Sequence, residues 1–199
     1  RQTICSLYCD SPDDILARIS LDKPVYKEKL RLRAYGTPTD SSPVFLEIKK
    51  KYDGVVYKRR VSTDFAQAMR FLTEGIPPES GDYVARQVTA EMTHMIRRDG
   101  LIPRAAVFYD RRAFHGADDP ELRLTLDGNI RYRLGDLDLR NGTDGDTIPG
   151  QPFRIMEIKS ASSIPLWLAG TLSELGIHPG SFSKYGSVYK QRFQDLCTT

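Results

Sequence analysis

Residues 27–33 read Lys-Glu-Lys-Leu-Arg-Leu-Arg, and that alternation limits the possible folds more than any other feature of the chain. Successive side chains of a β-strand point to opposite faces. Lys27, Lys29, Arg31 and Arg33 therefore share one face, and Glu28, Leu30 and Leu32 the other. The division recurs in 44–51, where Val44, Leu46 and Ile48 oppose Phe45, Glu47, Lys49 and Lys51. It recurs again in 122–127, with Leu122, Leu124 and Leu126 against Arg123, Thr125 and Asp127, and in 155–159, with Met156 and Ile158 against Ile155, Glu157 and Lys159.

Strand by strand, an ordinary sheet with one face on a core and one in water gives such alternation. Four consecutive same-face positions that are all Lys or Arg are harder to accept. At about 7 Å spacing each adjacent pair costs about 0.5 kcal/mol even in water. An anion lying along the ladder removes that cost. The chain also has helices enough to cover the apolar faces, which leaves the charged faces to converge. The expected fold is α+β: a closed antiparallel β-barrel with a basic interior and helices packed outside. Such an interior suits a slender, densely charged anion threaded lengthwise. Duplex DNA is too wide for an eight-stranded bore, and stacking aromatics for single strands are not evident, so no nucleic-acid partner is expected. Linear phosphate fits. The formal net charge of +3, from 29 Lys plus Arg against 26 Asp plus Glu, does not itself point to a polyanion; the placement of the cations does.

A chain of 199 residues, 40% hydrophobic and 28% charged, fits one globular domain spanning 1–199, and no internal repeat is evident. The patterning predicts strands over 2–9, 27–36, 44–52, 55–62, 104–114, 122–127 and 152–160, with Asp53-Gly54 closing a hairpin. Asp127-Gly128 reads as a turn before a further strand, Asn-Ile-Arg-Tyr-Arg-Leu. Helical spacing predicts a short helix through Ile15, Leu16 and Ile19, then helices over 64–74 and 82–98, the latter stopped by Gly100. A last helix is predicted from Pro165 to Leu175, burying Leu166, Ala169, Leu172 and Leu175, with 141–150 a loop. Cys5, Cys9 and Cys197 lack metal-ligand spacing and read as reduced thiols of a cytoplasmic protein. No apolar run is long enough to cross a bilayer. Because the chain opens on a strand, an upstream segment is expected.

The segments RLRAYG (31–36), VFLEIKKKYDGVVYKRR (44–60), FYDRRAF (108–114), LRLTLDGNIRYR (122–133), MEIK (156–159), PLWL (165–168) and FSKYG (182–186) carry a resemblance in their ordered combination. Together they resemble the VTC polyphosphate polymerase domain of the triphosphate tunnel metalloenzymes, in its stand-alone bacterial form. The resemblance implies an ATP-dependent polymerase that transfers the γ-phosphoryl group to a growing inorganic polyphosphate chain, with Mn²⁺ or Mg²⁺ as cofactor. By their matching motifs, Arg31, Arg33, Lys49, Arg111 and Lys184 would be the catalytic residues, with Lys58 and Arg60 on the following strand and Glu157 as the metal ligand. Lys27, Lys29, Arg123 and Lys159 would add phosphate contacts. The family has a further first strand with another phosphate-contacting lysine, and this chain begins after it.

Those residue types suit the chemistry. Phosphoryl transfer asks for positioning and charge neutralisation more than covalent help. Arg31, Arg33 and Arg111 offer forked donors, while Lys49, Lys58 and Lys184 act as point charges. Glu157 suits a hard cation, and Glu47 is expected to hold Lys49 or Arg31 in place. The acceptor phosphate is already ionised, so no general base is needed; His94, His115 and His178 read as surface or packing residues. Asp127, Arg123, Arg131 and Arg133 are either tunnel lining or a solvated hairpin, and Trp167 reads as core. Two other functions compete: a non-catalytic module that binds polyanions, and a relative that hydrolyses triphosphate or cyclises ATP.

Overall fold

The structure, a computed structural model, describes residues 1–22, 24–148, 154–161 and 163–197, with the side chains of 193–197 left aside. Residues 149, 150, 152 and 153 of the expected loop and last strand lie outside the described residues, as does the Cys197 side chain.

The chain opens with β1 (Gln2–Asp10), a short α1 (Ile15–Leu21), and then a meander of β2 (Tyr26–Tyr35), β3 (Pro43–Tyr52) and β4 (Val55–Asp64). Tyr52 pairs with Val55 across Asp53-Gly54, whose φ values of 43° and 82° give the two-residue hairpin its positive-φ turn. Two helices follow. In α2 (Phe65–Glu74) the Asp64 side chain accepts the Gln67 N–H at 2.7 Å, and in α3 (Tyr83–Asp99) Asp82 accepts from Val84 and Ala85. Gly100, at φ 62°, ends α3 as the sequence predicts. Next come β5 (Ile102–His115), β6 (Arg123–Arg133), a 3₁₀ turn (Leu139–Asn141), β7 (Asp146–Thr147), β8 (Ile155–Lys159), α4 (Leu166–Glu174) and α5 (Lys184–Cys197).

All strand pairings are antiparallel, in the order β4-β3-β2-β1-β5-β6-β7, with β8 also on β6. β7 and β8 share the far edge of β6, one at Arg131 and Tyr132, the other along 123–127. The class is α+β as expected, but the expected closed barrel is corrected in one respect: among the described residues no hydrogen bonds join β4 to β7 or β8.

The two faces of the sheet bury different things. On the convex side Cys5, Leu7, Leu30, Leu32, Val44, Leu46 and Ile48 pack beneath Phe65, Phe71, Val88, Met92 and Met95 of α2 and α3. Ion pairs at the margin tie the same layers: Arg98 with the buried Glu28, and Lys50 and Arg59 with Glu91. Cys5 and Cys9 are buried free thiols on this side; burial pushes the Cys5 thiol up to about 11. On the other side Ile4, Tyr8, Ala105, Val107, Tyr109, Ile130 and Tyr132 pack against Tyr185, Val188 and Tyr189 of α5. Asp10 seats α1 by accepting the Ser11, Leu16 and Ala17 N–H groups at 2.8–2.9 Å.

Three expectations are corrected. Asp127-Gly128 is not a turn: β6 runs through it, with a one-residue register shift near Asn129, at φ 51°. The reason is the ladder itself, in which Gly128 pairs with Asp110 of β5; a Cβ at 128 would lie 2.7 Å from the Arg154 side chain. In α4 only Leu168 is buried; Leu166 is 90% and Trp167 66% exposed, so the expected buried side and the core tryptophan are both overturned. α5 was not expected from the sequence at all. We expect Met92→Ala, which empties the centre of the layer under α3, to lower the unfolding free energy by about 3 kcal/mol. Urea denaturation checks this, and a loss below about 0.5 kcal/mol would show that α3 is not seated on the sheet.

Candidate functional site

The register of the strands gathers the cations of the alternating faces onto the side opposite α2 and α3. Lys27 stands beside Lys51, Lys29 beside Lys49, Arg31 beside Glu47, and across β3 Lys49 pairs with Lys58 and Glu47 with Arg60. On the other wing Arg111 of β5 pairs with Asp127 of β6, His115 with Arg123, and β8 sets Glu157 beside Thr125 and Lys159 beside Arg123. In the expected division of faces, these positions fall together.

The two wings also meet across the concave face. Ser183 and Lys184, adjacent residues at the start of α5, contact opposite wings. Lys29 Nζ donates to Ser183 Oγ at 2.8 Å, and Lys184 Nζ donates to Asp127 Oδ2 at 2.7 Å. In a flat sheet β2 and β6 would lie about 14 Å apart. Glu157 and Lys159 of β8 likewise act on the charge of Lys49 in β3, although five strand spacings, about 24 Å if flat, separate them along the sheet. The sheet is therefore strongly curled around the cations, and its two wings are bridged by side chains and by α5.

Two buried carboxylates organise the cations. Glu47, 3% exposed, accepts from Arg31 Nε at 2.8 Å and Nη2 at 2.7 Å, with Lys58 Nζ at 3.2 Å and Arg33 Nε at 3.6 Å. Burial alone would raise its carboxyl, yet Arg31, Arg33 and Lys58 outweigh that and hold it below the ordinary value. The sequence placed Glu47 with Arg31 or Lys49; the structure pairs it with Arg31. Asp127, 2% exposed, takes both arms of Arg111 at 2.7 and 2.8 Å and also Lys184. Its carboxyl is likewise held down by these partners against the opposing effect of burial. Sequence reasoning left Asp127 undecided, because its partner lies 16 residues away and a third group comes from a helix it did not foresee.

Carboxylates do not use up the cations. Burial lowers the pKa of Lys29, with Lys27, Lys49 and Arg31 pushing the same way. Lys49 is lowered by burial and then by Arg31. Burial is the larger cause of both shifts, and the neighbouring cations add to it. Arg33 Nε, Ser6 Oγ and Thr125 Oγ1 are buried on this face without a hydrogen-bond partner, a state that buried polar atoms seldom keep. Arg60 lies exposed over the Phe45 ring at 4.8 Å, and Arg123 is exposed at the β6 end. Arg131 and Arg133 face the other way: the β6 bulge sets them opposite Phe108 and Ala106, and Arg131 meets Asp110 at 3.7 Å. A cavity of about 400 Å³ between the β5–β6 loop and α4, lined by Phe114, Leu124, Trp167 and Leu168, lies apart from the cations and is mainly apolar.

Glu157 is half exposed, 3.3 Å from Lys159 Nζ and 3.9 Å from Arg111 Nη2. Among the described residues no three His, Cys, Asp or Glu side chains gather to form a metal site. A single accessible carboxylate amid a cluster of cations fits Mg²⁺ or Mn²⁺, which commonly keep waters and bind through one or two carboxylates plus phosphate oxygens. It does not fit an all-protein cage.

The antiparallel sheet curled around a cationic concave face has a counterpart among solved structures. A solved structure described as a putative adenylate cyclase from Bacillus halodurans shares it, with a TM-score of 0.54 and 13% identity over 92% of this chain and 79% of that one. The VTC domain family matches residues 1–193, and the chain belongs to that family. No curated protein sequence matches it. No helix among the described residues is long and apolar enough to cross a membrane.

Asp127 makes an acid-linked prediction. Its folded pKa is lowered, so the stability it contributes is fully present above its unfolded value of about 3.9 and is lost as pH falls through the lower folded value. Asp127→Asn leaves the half-buried Arg111 and Lys184 without their shared counter-charge and should cost about 3 kcal/mol at neutral pH. Chemical denaturation across pH checks it: the gap to wild type should shrink below pH 4, and a constant gap would argue that the carboxylate is not ionised in the folded protein.

Proposed function

We propose that the chain is an ATP-dependent polyphosphate polymerase whose cationic concave face forms a tunnel closed laterally by side chains and α5. The reading rests chiefly on one observation: cations from six strands and one helix converge in excess on a face where, among the described residues, only Glu47, Asp127 and Glu157 are carboxylates in register with them. Membership in the VTC family supports the same reading.

In this scheme a terminal oxygen of the growing chain attacks the γ-phosphorus of ATP. A new P–O–P bond forms, the bond to the β-phosphate bridging oxygen breaks, and ADP leaves with that electron pair. Arg31, Arg33 and Arg111 hold phosphate oxygens through planar forks, and Lys49, Lys58 and Lys184 add charge where it spreads in the transition state. Lys27, Lys29, Arg60, Arg123 and Lys159 hold the flanking phosphates. Glu47 and Asp127 act through the arginines, fixing their planes before substrate arrives. Glu157 would hold Mn²⁺ or Mg²⁺, which supplies neutralising charge to phosphate oxygens when bound.

A non-catalytic polyanion module is the second reading. It needs the cations, but it has no use for an accessible carboxylate placed among them, and Glu157 is such a group. Incubation with ATP and Mn²⁺ followed by gel analysis separates the two: long phosphate chains support the polymerase, and binding without product supports the module. Arg31→Ala with Arg33→Ala should weaken tripolyphosphate binding about a hundredfold or more, measured by calorimetry, while the fold persists. Glu157→Gln should lower metal-dependent turnover far more than polyphosphate affinity; equal losses would remove Glu157 from the metal role.

A further inference from the structure

The cations come from β2, β3, β4, β5, β6, β8 and α5, yet β1 runs through the middle of the same face between β2 and β5 and carries none there. Its Tyr8 stands in register with Arg31 and is 5% exposed. The phenol oxygen accepts a hydrogen bond from Arg31 Nη1 at 3.1 Å. A hydroxyl also has one proton to give, and among the described residues no group accepts it. An unpaired buried donor is costly.

Tyr8 cannot readily turn elsewhere for an acceptor. Its ring stacks on Tyr185 of α5, centroids 4.8 Å apart and planes within 5°. The Tyr185 hydroxyl is itself committed to Asp10 at 2.9 Å, and Asp10 is further occupied by three backbone N–H groups at the start of α1. Around the Tyr8 oxygen stand Arg31 and Lys29 from β2 and Lys184 from α5. Burial by itself would push the phenol up, but those cations and the Arg31 hydrogen bond prevail and hold it below its ordinary value. The surroundings of this oxygen thus favour negative charge and lack an acceptor, and an anionic oxygen meets both needs. A neutral donor has a further merit here, since another cation beside Arg31 would add to the repulsion of the β2 ladder.

We propose that Tyr8 is a phosphate-binding residue, donating its hydroxyl proton to an oxygen of a phosphoryl group held at the same time by Arg31, Lys29 and Lys184. The assignment rests on the reading of this face as a linear-phosphate tunnel and adds to it a seat centred on β1. Tyr8→Phe keeps the stack on Tyr185 and removes only the hydroxyl. By calorimetry at neutral pH, the variant should bind tripolyphosphate about tenfold more weakly than wild type, with an unchanged thermal midpoint. Equal affinity in the two proteins would overturn the role of Tyr8 while leaving the tunnel reading intact. Absence of binding by wild type would overturn both. If the variant does not fold, wild type still decides the matter. Saturation with tripolyphosphate at alkaline pH should return Tyr8 to its protonated form and lower the near-ultraviolet absorbance of ionised tyrosine; an unchanged spectrum at saturation would overturn the proposal.

Discussion

Like charge held at close quarters is the constraint on which this structure depends. Bringing Lys27, Lys29, Arg31 and Arg33 onto the concave face of a curled sheet is unfavourable unless something offsets the repulsion. Glu47 and Asp127 do so in part, one on each wing, each buried and each shared among several cations. Placed this way, a carboxylate neutralises less than it organises. It sets the plane of a guanidinium, as Asp127 does for Arg111 through two parallel bonds, and leaves the outward N–H groups and the neighbouring lysines available. Burial, with the neighbouring cations adding to it, lowers the pKa of Lys29 and Lys49.

Curling and charge also depend on each other. A flat sheet would let its cationic face be solvated by bulk water and would need no second wing. Here the wings are drawn together by α5, whose first residues reach Lys29 on one side and Asp127 on the other while Tyr185 stacks on Tyr8 at the centre. The apolar layer under α2 and α3 fixes the convex side. The interior therefore needs no continuous ring of backbone hydrogen bonds to stay concave, and the break in pairing between β4 and β8 is compatible with a tunnel-like cross-section.

What the sequence disclosed follows from the range of each interaction. The β3–β4 hairpin, α2 and α3 were legible because their signals are local: Asp53-Gly54, Gly100 and an apolar stripe at helical spacing. The face assignment of β2, β3 and β8 was legible for the same reason, since a two-residue period needs no partner. Gly128 was misread because Asp-Gly is a strong local turn signal, and what overrides it, the pairing of Gly128 with Asp110, is non-local. In α4 the apolar residues followed a helical spacing without a sheet face to cover, so Leu166 and Trp167 remain exposed. α5 was overlooked because its sequence is mostly polar; its burial comes from Tyr185, Val188 and Tyr189 meeting β1 and β5.

The same distinction explains why β1 carried no assignment in the sequence reading. Charge ladders stand out in a sequence, whereas a tyrosine in an otherwise apolar strand reads as core. Tyr8 is indeed core by its ring, stacked and almost wholly buried. By its oxygen it belongs to the cationic face, because the antiparallel register with β2 sets it opposite Arg31. Aromatic residues with one polar atom can serve a core and a site at once, and which role the polar atom plays is settled by the strand pairing that brings a charge beside it.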